Sequence, residues 1–348
     1  MKVLIVFSNT GRGLRRDAWL LKKIIETQGH IVSIAPFPPA GRYRRRVLHF
    51  YNRSKILLVP SVIKRPVETI EHQIRRIVLL NFPLIIHLQN IYPGYINRAS
   101  RNWLIPNQEW FDPERVKYLP DIQTVVCKSR HARHIFKKLH PDVVYTGFSG
   151  DVRAGCRVGK NTDFQSFLHV AGNSKAKGAQ AIVDVWKRHP EYPALKIVIN
   201  DKTRLGDLPG NIEVFENISD AGITRLWQRA GVVIAPSEAE GFGHTLLEAM
   251  AYGAAVITVN APPMNELVTS ERGYLVPWSH SEPCRLGTRY FVDVDALERV
   301  ISRVVQAPVE ELAAKSAAAR KWVIRNHKAF VKRFCKLLDT VEDLRTNG

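Results

Sequence analysis

Short apolar runs alternate with stretches of helical periodicity along almost all of this 348-residue chain, and that alternation restricts the fold more than any other feature. The run VLIVFS (3–8) leads into a glycine turn, Asn9-Thr10-Gly11-Arg12-Gly13. Leu14, Ala18, Leu21 and Ile25 then recur at helical spacing, with Lys22, Lys23 and Glu26 opposite. His30–Ala35 reads as the next strand, which makes a β-α-β start. Leu84–His87 and Thr124–Cys127 read as further strands, separated by an irregular stretch rich in Asn, Pro and aromatic residues. The second half repeats the rhythm with strands at Phe167–Ala171, Leu195–Ile199, Asn211–Phe215, Val232–Ala235, Ala255–Val259 and Tyr274–Val276. Helices are expected at Ala179–Arg188, Ala221–Arg229 and Thr245–Ala251, and a last helical segment near Glu310–Leu338. Alternating strands and helices imply an α/β chain whose parallel sheets are covered on both faces. Two such halves would bind a ligand in the crevice at the carboxyl ends of their strands. Asp151–Asp163 has little periodicity and reads as a linker. The expected domains are 1–155 and 165–308, with a helical segment, 309–348, packing back toward the first domain.

Charge and cysteine usage narrow the class. Residues 1–150 hold 25 basic and 9 acidic side chains, a net +16, whereas residues 151–300 carry −2 and residues 301–348 carry +5. A basic half beside a neutral half points to an anionic partner: nucleic acid, a phospholipid surface or a phosphorylated substrate. No zinc-finger, RRM or helix-turn-helix signature supports nucleic acid. Cys127, Cys156, Cys284 and Cys335 have neither zinc-site nor disulfide-framework spacing, which fits a reducing compartment. The apolar run at the N-terminus is too short for a signal peptide. IVLLNFPLIIHL (77–88) is also short of the ~20 residues that span a bilayer.

The most informative stretch is APSEAEGFGHTLLEAMAYGAAVIT (235–258). A strand ends at Ala235, Glu240-Gly241-Phe242-Gly243 turns, and a helix starts near His244. Gly243 lets a ligand approach the backbone, and the free N–H groups of the first helical turn suit a diphosphate. Glu240 precedes the helix and Glu248 lies just beyond its first turn, so the two carboxylates can grip two parts of one ligand. The pattern E-G-F-G-H-x3-E-A-M-A-x-G-x-x-V-I-T resembles the signature of the family 4 glycosyltransferases, which have the GT-B architecture of two Rossmann-like domains facing a central cleft. FLHVAGNSKAKGAQAIVDVW (167–186), APPMNELV and GYLVP (261–277) are similar to the family as well.

The resemblance implies a retaining, nucleotide-sugar-dependent transferase. Glu248 would hold the ribose of the donor, Glu240 the hydroxyls of the donor sugar, and the Phe242, Gly243 and His244 segment the diphosphate. Lys177 would offset the charge left on the departing nucleoside diphosphate. The family places an arginine where this chain has Asn173, and Lys175 or Lys202 are candidates for the replacing cation. In GT-B folds the loop of Gly11, Arg12 and Gly13 lies under the donor phosphates. Related enzymes keep a histidine near His87, which is expected to end its strand and face the crevice. Lys128 and the PNQEWF loop with Glu109 are candidates for the acceptor side, although Trp110 and Phe111 could equally be core.

Asn265 or Glu266 are weaker ligand candidates, because Glu266 at a helix start is favoured by the macrodipole alone. Asp293-Val294-Asp295 reads as a helix start with Asp295 as N-cap rather than a metal motif. No cluster has metal-ligand spacing, so neither a metal nor a cofactor is expected.

In Ser129–Leu139, Ala132, Ile135, Phe136 and Leu139 are expected to face the core and Arg130, Arg133 and Lys137 the outside. Arg42, Arg44, Arg45 and Arg46 adjoin the apolar Val47, Leu48, Phe50 and Tyr51. The expected protein therefore sits on the cytoplasmic, inner face of an anionic membrane. There it would glycosylate a glycan or lipid-linked anionic acceptor in cell-surface polysaccharide or lipopolysaccharide synthesis. The same fold would also serve a phosphorylase or a sugar-nucleotide epimerase.

Overall fold

The computed structural model describes residues 1–8, 12–37, 82–150 and 162–346. Gly11, the Arg42–Arg46 cluster and most of the expected linker lie outside the described residues. The first sheet contains β1 (Lys2–Ser8), β2 (Ile31–Phe37), β3 (Phe82–Gln89), β4 (Ala99–Pro106), β5 (Thr124–Cys127) and β6 (Val143–Tyr145). Their order is β2-β1-β3-β4-β5-β6, and every pairing is parallel. The second contains β7 (Phe167–Gly172), β8 (Leu195–Ile199), β9 (Ile212–Glu216), β10 (Val232–Ala235), β11 (Ala255–Val259) and β12 (Tyr274–Val276). Its order is β12-β11-β10-β7-β8-β9, again all parallel. Strand order reverses between β1 and β3 in one sheet and between β7 and β10 in the other. Each reversal opens a crevice at the carboxyl ends.

Burial explains why these strands read as continuous apolar runs. Val3, Ile5 and Phe7 of β1 join one core cluster while Leu4 and Val6 join another. In β10, Val233 and Ala235 face one core and Val232 and Ile234 the opposite one. Strands buried on both faces carry no polar alternation. The helices covering them are α1 (Arg12–Thr27), α2 (Arg130–Phe136), α3 (Ala179–Arg188), α4 (Asp220–Arg229), α5 (His244–Tyr252), α6 (Val294–Gln306) and α7 (Val309–Thr346). The long α7 spans both halves. Leu312 packs into the second domain, and Phe330, Phe334 and Leu338 enter the core shared with the first. Phe334 meets Trp103 of β4 edge to face at 6.2 Å.

Several expectations are corrected. The stretch expected to be irregular contains β4, a central strand. Its buried Asn102 broke the apolar pattern, yet the side chain is satisfied: His87 Nε2 meets Oδ1 at 3.1 Å and Nδ2 donates to the Ile96 carbonyl at 3.0 Å. β6 is too short to show a pattern. The antiparallel hairpin β13 (Trp278–Cys284) and β14 (Gly287–Val292) has no buried residue and hence no apolar signature. Asp293, not Asp295, caps α6, accepting from the Ala296 N–H at 2.9 Å. Leu139 is exposed because α2 ends at Phe136.

Candidate active site

The second domain builds its wall of the cleft from the loops that follow β7 and β10, the pair flanking its switch point. Gly178 has a φ of +68°, and a Cβ there would lie 2.4 Å from the Pro236 carbonyl oxygen. Only glycine allows the two loops to touch. Next to this contact the Lys177 ammonium donates to Glu240 Oε1, and both side chains are largely buried. Gly243 has a φ of +102° and caps α5, with Glu248 one turn along that helix. Lys177, Glu240, Gly243 and Glu248 are thus brought together, and the first N–H groups of α5 open beside them.

The first domain meets this wall through α1. Arg16 pairs with Glu248, and the exposed Arg12 pairs with Asp220 at 3.2 Å. A Cβ on Gly13 would come within 3.8 Å of the His244 ring. Asp17 is fully buried and takes two partners, Lys128 from the end of β5 and His244 Nε2 at 2.6 Å. Burial acts to raise the Asp17 pKa, but the charges and hydrogen bonds of Lys128 and His244 outweigh it and hold the carboxyl below its ordinary 3.8. Lys128 also donates to Asn107 Oδ1 at 3.0 Å and lies 4.7 Å above the Phe148 ring. Phe242 packs its buried ring edge to face on Phe148 at 5.4 Å.

The PNQEWF loop is clamped by the second domain. Gln108 Nε2 donates to the Glu240 carbonyl at 3.1 Å, and the Leu286 and Arg285 tip of the β13–β14 hairpin binds the Gln108 and Trp110 carbonyls. Within this clamp Glu109 is 1% exposed, and neither carboxylate oxygen has a hydrogen-bond partner. A Cβ on Gly241 would lie 2.6 Å from Glu109 Oε1, so glycine makes room for it. Burial, with Glu240 adding to it, pushes the Glu109 pKa up to about 8. Phe111 is core and Trp110 is exposed. The buried Ser237 hydroxyl, in the loop after β10, is also without a partner.

Other candidates fall elsewhere. His87 does not end its strand, which continues to Gln89. The ring is fully buried, Nδ1 accepts from the Tyr92 N–H at 3.1 Å and Nε2 faces Asn102. Desolvation lowers its pKa to about 4, so the imidazole is neutral at ordinary pH. The strand end at the switch point is instead Gln89, a non-glycine residue with a φ of +68°, the kind of strain that collects at functional sites. Asn173 is exposed, Lys175 lies in the same loop, and Arg204 donates to the Ser174 carbonyl beside it at 3.0 Å. Lys202 is 3.6 Å from Glu216. Glu266 accepts from the Arg130 and His131 N–H groups at 2.8 Å each, capping α2 across the domain boundary. Asp17, Arg16 and Arg204 were not singled out from the sequence. For Asp17 a signal existed, since it sits on the apolar stripe of α1 between Leu14 and Leu21. Among the described residues no group of three or more His, Cys, Asp or Glu is placed to hold a metal ion.

Comparison with known proteins bears on the fold and on the second domain. Residues 157–283 match the family described as "Glycosyl transferases group 1". The match falls on the second domain. No curated protein matches the chain. Among solved structures, a glycosyltransferase from Rickettsia africae superposes with a TM-score of 0.67 at 17% identity, covering 100% of this chain and 99% of that one. Sucrose-phosphate synthase from Thermosynechococcus elongatus gives 0.69 at 15% identity, over 99% and 100% of the two chains. Anabaena HepE in complex with UDP gives 0.67 at 15%, over 98% and 100%. The two-sheet architecture is GT-B. Lys177, Glu240, Gly243 and Glu248 lie within the matched residues, whereas Asp17, Lys128 and Glu109 lie outside them.

Proposed function

We propose that the chain transfers a sugar, with retention of anomeric configuration, from a nucleoside diphosphate sugar to a hydroxyl of a glycan or lipid-linked anionic acceptor. The Lys177–Glu240 pair at the switch point of the second sheet carries this reading. With the donor bound, Lys177 turns from Glu240 to the diphosphate, and Glu240 accepts from hydroxyls of the donor sugar. Glu248 exchanges Arg16 for the ribose hydroxyls. The first N–H groups of α5 add partial positive charge at the diphosphate. The bond from the anomeric carbon to the diphosphate oxygen breaks as the bond to the acceptor oxygen forms on the same face. The acceptor proton passes to the leaving phosphate oxygen, and Lys177 stabilises the charge that remains.

The structurally similar HepE was solved with UDP and with UDP-glucose, so UDP is the first nucleotide to test. Among the described residues no helix is long and apolar enough to cross a membrane. The basic first half favours peripheral docking on the inner face of an anionic membrane, in cell-surface polysaccharide or lipopolysaccharide synthesis. A thermal-shift panel of UDP, GDP, ADP and CMP tests the donor reading. A nucleotide at 100 times its Kd stabilises by ~2.7 kcal/mol. No shift with any of the four, followed by no sugar transfer, would overturn it.

A further inference from the structure

A pocket of about 440 Å³ lies where the first domain, the second domain and α7 meet, and neither Lys177, Glu240 nor Glu248 lines it. Its inner end holds Lys128 and Phe242, and its walls carry Arg130, Arg325 and Arg333. Among the described residues none of these three arginines has a carboxylate within ion-pair distance. The one acid in the lining, Glu266, is committed to the two backbone N–H groups at the start of α2. Arg130 and Arg333 both lie 5.3 Å from the Tyr145 ring centroid, and Arg333 Nε is fixed by the Thr146 carbonyl at 2.6 Å. Both guanidinium groups thus pack against the one Tyr145 ring, and neither is neutralised by that contact. Like charges gathered in a half-enclosed space repel one another unless an anion joins them. Guanidinium forks match the oxygens of a phosphoryl group.

We propose that this pocket binds a phosphoryl group carried by the acceptor substrate. The pocket reaches from solvent to Phe242, whose loop also carries Glu240. A phosphate held by Arg130, Arg325 and Arg333 would anchor the acceptor while its hydroxyl reaches the donor sugar. The acceptor role rests on the transferase reading above, whereas the anion site does not.

The test is calorimetric titration of inorganic pyrophosphate into the full chain, with and without UDP. It is repeated on Arg325→Ser and on the Arg130→Ser/Arg325→Ser double variant, both changed at exposed positions. Pyrophosphate should bind the UDP-loaded protein, and the double variant should weaken it by roughly tenfold or more while the UDP affinity stays unchanged. Equal pyrophosphate affinity in parent and variants overturns the site, as does pyrophosphate binding that UDP competes away. Failure of UDP to bind would instead exclude UDP as the donor nucleotide and leave the pyrophosphate comparison on the nucleotide-free protein intact. Glycerol 3-phosphate and vesicles containing phosphatidic acid are then titrated as competitors. Displacement by the soluble ester points to a free phosphorylated acceptor, displacement by vesicles alone to a lipid headgroup, and displacement by neither overturns the phosphate-ester assignment.

Discussion

Asp17 is a charged residue on the buried stripe of an amphipathic helix, and its partners come from opposite domains. Replacing it with Asn leaves Lys128 buried without a counter-charge, which costs about 3–5 kcal/mol; the urea midpoint of Asp17→Asn should fall accordingly. Because the folded pKa of Asp17 lies below its ordinary 3.8, the parental carboxylate stabilises fully above that value and loses its contribution as pH drops below it. The variant should lack that part of the acid limb. Glu109 behaves oppositely. Its folded pKa is raised from 4.5 to about 8, so between those values the unfolded chain releases a proton that the folded chain keeps. Stability should therefore decline by up to ~1.4 kcal/mol per pH unit across that window. Glu109→Gln should match the parent near pH 5 and unfold at higher denaturant than the parent at pH 8; equal midpoints at both values would show that the carboxyl is not buried neutral. For the donor reading, Glu248→Ala should weaken nucleotide binding by roughly one to two decades, the worth of ~1.5–3 kcal/mol for a hydrogen bond to a charged group. Titration calorimetry reads this directly, and an unchanged Kd removes the ribose role. That Glu240, Glu248 and Lys177 lie near one another was legible because each sits just after a strand or in the helix that follows it, whereas their proposed roles come from the family resemblance. Asp17, Arg16 and Arg204 acquire their meaning from residues 227, 232 and 30 positions away, which no local pattern encodes.

At the scale of elements, the strands buried on both faces were readable to within a residue or two, since a run such as β10 or β11 has one interpretation. β4 and the β13–β14 hairpin were not. One hides a satisfied buried Asn in its middle, and the other has no buried face at all. The site depends most on the contact between the loops after β7 and β10. Gly178→Ala would add a strained backbone, at about 1–3 kcal/mol, and a Cβ 2.4 Å from the Pro236 oxygen. It should lower the melting temperature and also the nucleotide affinity, because Lys177 moves with the loop. A variant that melts early yet binds nucleotide normally would separate the loop contact from the site.

For the whole molecule, the net charge of +19 is concentrated in the first 150 residues. Each Lys or Arg close to an anionic bilayer contributes ~1 kcal/mol. Sedimentation with vesicles should show binding that requires anionic lipid, weakens as salt rises and falls when Arg42, Arg44, Arg45 and Arg46 become Ser. Equal partitioning onto neutral vesicles would leave the basic half without a membrane role. The path of α7 also bears on how the protein comes to exist in a cell. Trp103 of the first sheet is covered by Phe334, and the α-amino group of Met1 lies 3.7 Å from Glu342. The first domain is thus closed by a part of the chain that is synthesised long after it. At ~5–20 residues per second, the 231 residues between Trp103 and Phe334 take roughly 10–50 s to synthesise. Throughout that interval the apolar face around Trp103 lacks its α7 cover, the kind of transient exposure that invites aggregation during synthesis.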